Sequence, residues 1–155
     1  MNDIRKLAAV GLAGGTLTAA SGLFVAAVVQ PASDVSDEMW SYPWSSDALV
    51  PVSVLFAAFH LLVFLGMVAF ARSVSSRAAR VGSALALVGT FVFFVAEVAT
   101  IPFADQRLDE TGPQIVGAMF GLGVTLTAVG LIAAGIALMA VRRRRELTED
   151  SSAEA

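Results

Sequence analysis

In a chain of 155 residues, 57% are apolar, only 15% are charged, and the net charge is −3 with no cysteine. So few polar side chains cannot cover a water-facing surface. The missing thiols exclude disulfides, thiolate metal sites, thiol nucleophiles and c-type haem attachment. No stretch supports nucleic-acid binding, and neither a metal nor another cofactor is expected.

A hydrocarbon core about 30 Å thick takes roughly 20 apolar helical residues at 1.5 Å each. Four runs reach that length: 7–29, 48–71, 81–101 and 115–141. The first and last carry no charge, the second is interrupted by Pro51 and His60, and the third contains one charge, Glu97. In lipid an open strand would leave its backbone polar groups unpaired, so these runs are read as helices. The first is longer than the 7–15 residues usual for the apolar part of a signal peptide and is read as a retained span. The expected fold is all-α, an integral membrane four-helix bundle over residues 1–146, with a disordered acidic tail at 147–155.

Basic residues set the orientation, because Lys and Arg beside a span favour the cytoplasmic side. Arg5 and Lys6 precede the first run, Arg72, Arg77 and Arg80 lie between the second and third, and Arg142, Arg143, Arg144 and Arg145 follow the fourth. The opposite face has Arg107 against Asp34, Asp37, Glu38, Asp47, Asp105, Asp109 and Glu110. Both termini are therefore expected in the cytoplasm, in a prokaryotic plasma membrane. The four terminal arginines would contact anionic headgroups of the inner leaflet.

The outer linker contains EMWSYPWSS at 38–46, with both tryptophans and the only tyrosine of the chain. Trp40, Tyr42 and Trp44 are expected to rest in the headgroup layer as an interfacial anchor, with Pro43 preventing a regular helix.

Helices in lipid attract one another through close packing of small residues and buried hydrogen bonds. Gly11, Gly15, Thr18 and Gly22 form such a face on the first span, and Gln114, Gly117, Gly121, Thr125 and Ala128 form one on the fourth. The third span aligns Gly82, Ala86, Gly89, Thr90, Phe93, Glu97 and Thr100, whereas the bulkier second span is expected to face lipid. Laying 5–31 over 76–102 matches Val10 and Gly11 with Val81 and Gly82, and Pro31 with Pro102, the pattern of a two-helix duplication.

An ionisable group within a span costs roughly 2.5–3.5 kcal/mol and marks a candidate site. Glu97 and His60 are those groups, and Thr90 and Thr100, on the helical face of Glu97, could donate hydrogen bonds to it. One acid and one histidine do not assemble a hydrolase or transferase centre, so no enzyme is expected. The leading expectation is a non-enzymatic membrane component that contacts the lipid bilayer and either a second copy or another membrane protein. The alternative is a small proton-linked transporter or membrane sensor built on the Glu97 and His60 pair.

Overall fold

A computed structural model describes the backbone of residues 2–153 and the side chains of residues 4–143. Among the described residues there are four long helices and no strand: α1 (Asn2–Phe24), α2 (Ser46–Ser73), α3 (Arg77–Ala99) and α4 (Thr111–Ala153). All four are long and apolar enough to cross a membrane. Large apolar side chains cover the outside of the bundle, Leu12 and Leu23 being 74% and 73% exposed and Val81 67%. Apolar surface on that scale is matched by lipid tails rather than by water. The chain is an all-helical, multi-pass membrane protein.

Local chemistry explains the helix ends. Ser45 and Ser76 cap α2 and α3, each side-chain oxygen accepting a hydrogen bond from the backbone of Ala48 or Ala79. α1 continues through a π turn, Val25–Val29, into a 3-10 turn, Gln30–Ala32, that contains Pro31. α3 closes in the same way with a 3-10 turn, Ile101–Phe103, around Pro102. With no N–H to donate, each proline breaks the backbone hydrogen-bond ladder at the point where its helix ends. α4 meets no proline after Pro113 and no glycine after Gly135. Its backbone stays helical to Ala153, where the sequence suggested a disordered tail from 147. At 1.5 Å per residue it extends roughly 65 Å, about twice the hydrocarbon thickness.

The helices pack in chain order, α1 on α2, α2 on α3 and α3 on α4. Glycines set each close approach. Gly11 of α1 lies against Gly66 of α2, and a methyl group on either would overlap the other's Cα. On α3, Gly82 and Gly89 face Ala134 and Thr127 of α4, while Gly123 and Gly130 face Phe93 and Ala86 in return. Such contact brings two backbones together and compensates for the weak hydrophobic attraction between helices in lipid.

Four glycines expected at helix contacts are not there. Gly15, Gly22 and Gly121 have no other helix within 4 Å of where a Cβ would stand, and Gly117 meets only the ring of Trp40, at 3.9 Å. α4 has two stripes of small residues, and α3 takes the one whose glycines oppose its own. On α1 it is Gly14, beneath Leu62, that continues the face begun by Gly11. α2, expected to face lipid, instead holds the centre between α1 and α3, with Ser53, Ala57 and Ala69 buried along it.

α1 and α4 share no comparable contact among the described residues. Between them lies a groove of about 470 Å³, walled by Gly15, Ala19, Val124 and Leu131, with His60, Thr90 and Phe93 deeper in. Replacing Gly89 with Ala should lower stability in detergent by about 1–3 kcal/mol through overpacking against Thr127. Gly121→Ala should stay within about 0.5 kcal/mol of the parent or gain slightly from helix propensity. Equal thermal-unfolding midpoints for the two variants would contradict the α3–α4 interface described here.

Candidate functional site

Hydroxyl groups inside the spans satisfy themselves locally. Thr90 Oγ1 donates to the Leu87 carbonyl at 2.9 Å, and Thr100 Oγ1 donates to that of Ala96 at 3.1 Å. Thr18 and Thr127 bond the carbonyls of Gly14 and Gly123 in the same way. Bonding three or four residues back is the nearest acceptor for a threonine in a helix surrounded by hydrocarbon. Neither Thr90 nor Thr100 therefore donates to Glu97, contrary to the expectation from their shared face.

What Glu97 meets is His60. Its Oε1 lies 3.6 Å from His60 Nδ1, and the two side chains are only 15% and 12% exposed. The same Nδ1 is 2.8 Å from the carbonyl oxygen of Phe56, one turn earlier in α2. A carbonyl can only accept, so Nδ1 carries the proton and Nε2 is the nitrogen free to gain or lose one. At 3.6 Å the carboxylate is a close electrostatic neighbour, and an approach of about half an ångström would make it a hydrogen-bond acceptor. Phe93, one turn before Glu97, stacks its ring 4.4 Å from the imidazole.

The aromatic loop completes the site from the acidic end of the bundle. Trp40 N donates to the Gln106 carbonyl at 2.9 Å and Leu108 N donates to that of Glu38 at 2.8 Å, joining the loop after α1 to the loop after α3. Arg107 ties the same pair of loops by a 2.8 Å ion pair with Glu38, with Asp109 at 3.4 Å. Glu38 first and Asp109 second raise the pKa of this exposed guanidinium above its ordinary value, so it stays charged. Within the first loop Ser33 Oγ donates to the Pro43 carbonyl at 2.8 Å, and the Tyr42–Pro43 peptide is cis.

Held this way, Trp40, Tyr42 and Trp44 are half-buried against the ends of the helices. With Phe56, Phe120 and Glu97 they line a cavity of about 230 Å³. Trp40 packs 6.5 Å from Phe120, which meets Phe93 edge-on at 5.1 Å. Aromatic contacts thus run without a break from the loop to His60, and pairs of this type contribute about 0.5–1.5 kcal/mol each beyond area burial. Trp40 Nε1 is the one buried side-chain polar atom lacking a partner among the described residues.

The pair therefore stands between two cavities, Glu97 reaching the one under the aromatic loop and His60 reaching the groove between α1 and α4. Phe56 and Phe93 were readable as site neighbours, each lying four residues before an ionisable group on its own helix. Phe120 and the clamp of Arg107 on Glu38 carried no local signal. Arg142 and Arg143 are exposed on α4 at the basic end, whereas the side chains of Arg144 and Arg145 lie outside the described residues. No protein family, curated protein or solved structure matches the chain.

Trp40→Phe keeps the ring and removes an N–H buried without an acceptor, so thermal stability should be unchanged or rise by up to about 1 kcal/mol. Trp40→Ala should lose about 2–3 kcal/mol with its contacts to Phe120 and Gly117. A midpoint that falls as far for Phe as for Ala would show that Nε1 is satisfied after all.

Proposed function

We propose that this protein is a small proton-linked membrane transporter in which Glu97 and His60 exchange the proton. The observation that carries this reading is their 3.6 Å approach from different helices, at a point where each faces a separate cavity. A proton taken up at Nε2 turns the imidazole into a cation with Nδ1–H directed at the Phe56 carbonyl and Glu97. Passing the Nδ1 proton to Glu97 leaves a neutral ring protonated at Nε2, and the resting tautomer returns when Nε2 releases its proton and Nδ1 regains one, with the charge of each partner cancelled in turn.

The acidic end is assigned to the outside and both termini to the cytoplasm of a prokaryotic plasma membrane. Support comes from the basic side chains of Arg5, Lys6, Arg72, Arg77, Arg80, Arg142 and Arg143, all at the end opposite the aromatic loop. A duplication of the first two helices is supported by the paired turns Gln30–Ala32 and Ile101–Phe103, which stand at the same offset as 5–31 and 76–102.

Proteoliposomes with a trapped pH indicator should lose an imposed proton gradient when a pool of small solutes is supplied. Glu97→Gln should abolish that flux, and His60→Gln should slow it at least about tenfold, equivalent to about 1.4 kcal/mol on the barrier. Unaltered flux in Glu97→Gln removes the pair from the mechanism. Because the parent has no cysteine, single substitutions report sidedness directly. Ser36→Cys should react with an impermeant maleimide on intact cells and Ser75→Cys only after permeabilisation; the reverse pattern would invert the topology.

A further inference from the structure

We propose that the cavity beneath the aromatic loop binds a small alkylated ammonium cation, with Glu97 as its counter-charge and Trp40, Tyr42, Trp44, Phe56 and Phe120 as its walls. The proposal rests on the reading of Glu97 as the proton-exchanging group and names the substrate class of that site.

The wall is chemically one-sided. Both tryptophans and the only tyrosine of the chain converge there, and ring faces attract a cation most strongly when it is stripped of water. The space, about 230 Å³, suits a compact ligand. No fixed cation occupies the role already: Arg107, the basic side chain at this end, is engaged on the surface by Glu38 and Asp109. The loop carrying the rings is pinned to its neighbour by two backbone hydrogen bonds, so the rings are held ready and little ordering remains at binding.

Other ligand classes fit worse. An anion would be repelled by the Glu97 carboxylate, and a divalent metal ion takes six or more oxygen ligands where this wall supplies one carboxylate and the hydroxyls of Tyr42, Ser53 and Thr100. A neutral apolar solute would leave the carboxylate desolvated and unpaired. An alkylated ammonium is weakly hydrated, satisfies the carboxylate and presents C–H surface to the rings.

Proton and ligand then compete for one carboxylate. The titratable groups facing Glu97 are His60 from α2 and Tyr42 from the loop, while α4 contributes Phe120 and α1 contributes nothing to the cavity. Cation entry expels the proton from Glu97, and proton return expels the cation, so the two move in opposite directions. The ammonium could be that of a free solute or of a choline headgroup in the surrounding lipid.

The two tryptophans report occupancy directly. Protein in phosphatidylglycerol nanodiscs is titrated with tetramethylammonium, and separately with tert-butanol as an uncharged solute of similar bulk. A saturable change in tryptophan emission with the cation alone is expected. Affinity should weaken as pH is lowered, and should fall at least tenfold in Glu97→Gln with the pH dependence lost. Trp44→Leu, altered on the loop rather than in a helix, should weaken binding to a similar degree and serves if Glu97→Gln does not purify. Loss of the response in phosphatidylcholine nanodiscs would identify the lipid headgroup as the ammonium source; its retention would identify a free solute. An unsaturable change, an equal response to tert-butanol, or unaltered affinity in both variants overturns the proposal. Cation binding without proton flux would keep this site and discard proton linkage, whereas flux without a cation response would do the reverse.

Discussion

Contact between backbones through opposed glycines is the constraint on which the rest of this bundle depends. In lipid the flanks of a helix are already solvated by hydrocarbon, so association must come from dispersion at short range and from geometry that admits it. Gly11 on Gly66, and Gly82 and Gly89 against the Gly123 to Ala134 face, supply two such seams. They fix α1 on α2 and α3 on α4. The two pairs then join along α2 and α3, and that join brings His60 of one pair within 3.6 Å of Glu97 of the other. The site is a consequence of packing laid down on other faces of the same helices.

The loops act on the site from a different direction. Hydrogen bonds from Trp40 to Gln106 and from Leu108 to Glu38 make one platform of two connections that are far apart in sequence. Being polar, that platform belongs at the water boundary, and its aromatic rings line the cavity beneath it. Trp40 on Phe120, Phe120 on Phe93 and Phe93 on His60 then continue the contact down to the middle of the bundle. A change in the loop can reach the imidazole through side chains that already touch.

The number and rough limits of the helices were legible because hydrocarbon thickness dictates a length that uncharged runs either reach or do not. Which face of each helix packs was less legible. On α4, Gly117, Gly121, Thr125 and Ala128 repeat at three- and four-residue steps, as do Gly123, Thr127, Gly130 and Ala134, and only the matching glycines of α3 decide between them. Glu97 and His60 stood out as residues, but their meeting depends on the α2–α3 join and has no signature within either helix. Threonines near Glu97 looked like partners on helical spacing alone, yet a carbonyl one turn back is always closer than a neighbouring side chain. The cavity beneath the aromatic loop had no signature in the loop's own sequence, because it depends on pairing with residues 106–108.

Glu97 sits two residues before the end of α3, under the loop rather than at mid-membrane. A carboxylate near the end of a span escapes much of the cost it would incur at the bilayer centre, but with its side chain only 15% exposed it keeps little of its hydration. It therefore requires a partner at all times, and the described residues provide one that is itself neutral unless Nε2 is protonated. A charged imidazole, a proton or an external cation each meets that requirement, and no two of them are needed together. Mutually exclusive occupants of one desolvated charge are the simplest physical basis for coupling the movement of one to the movement of another.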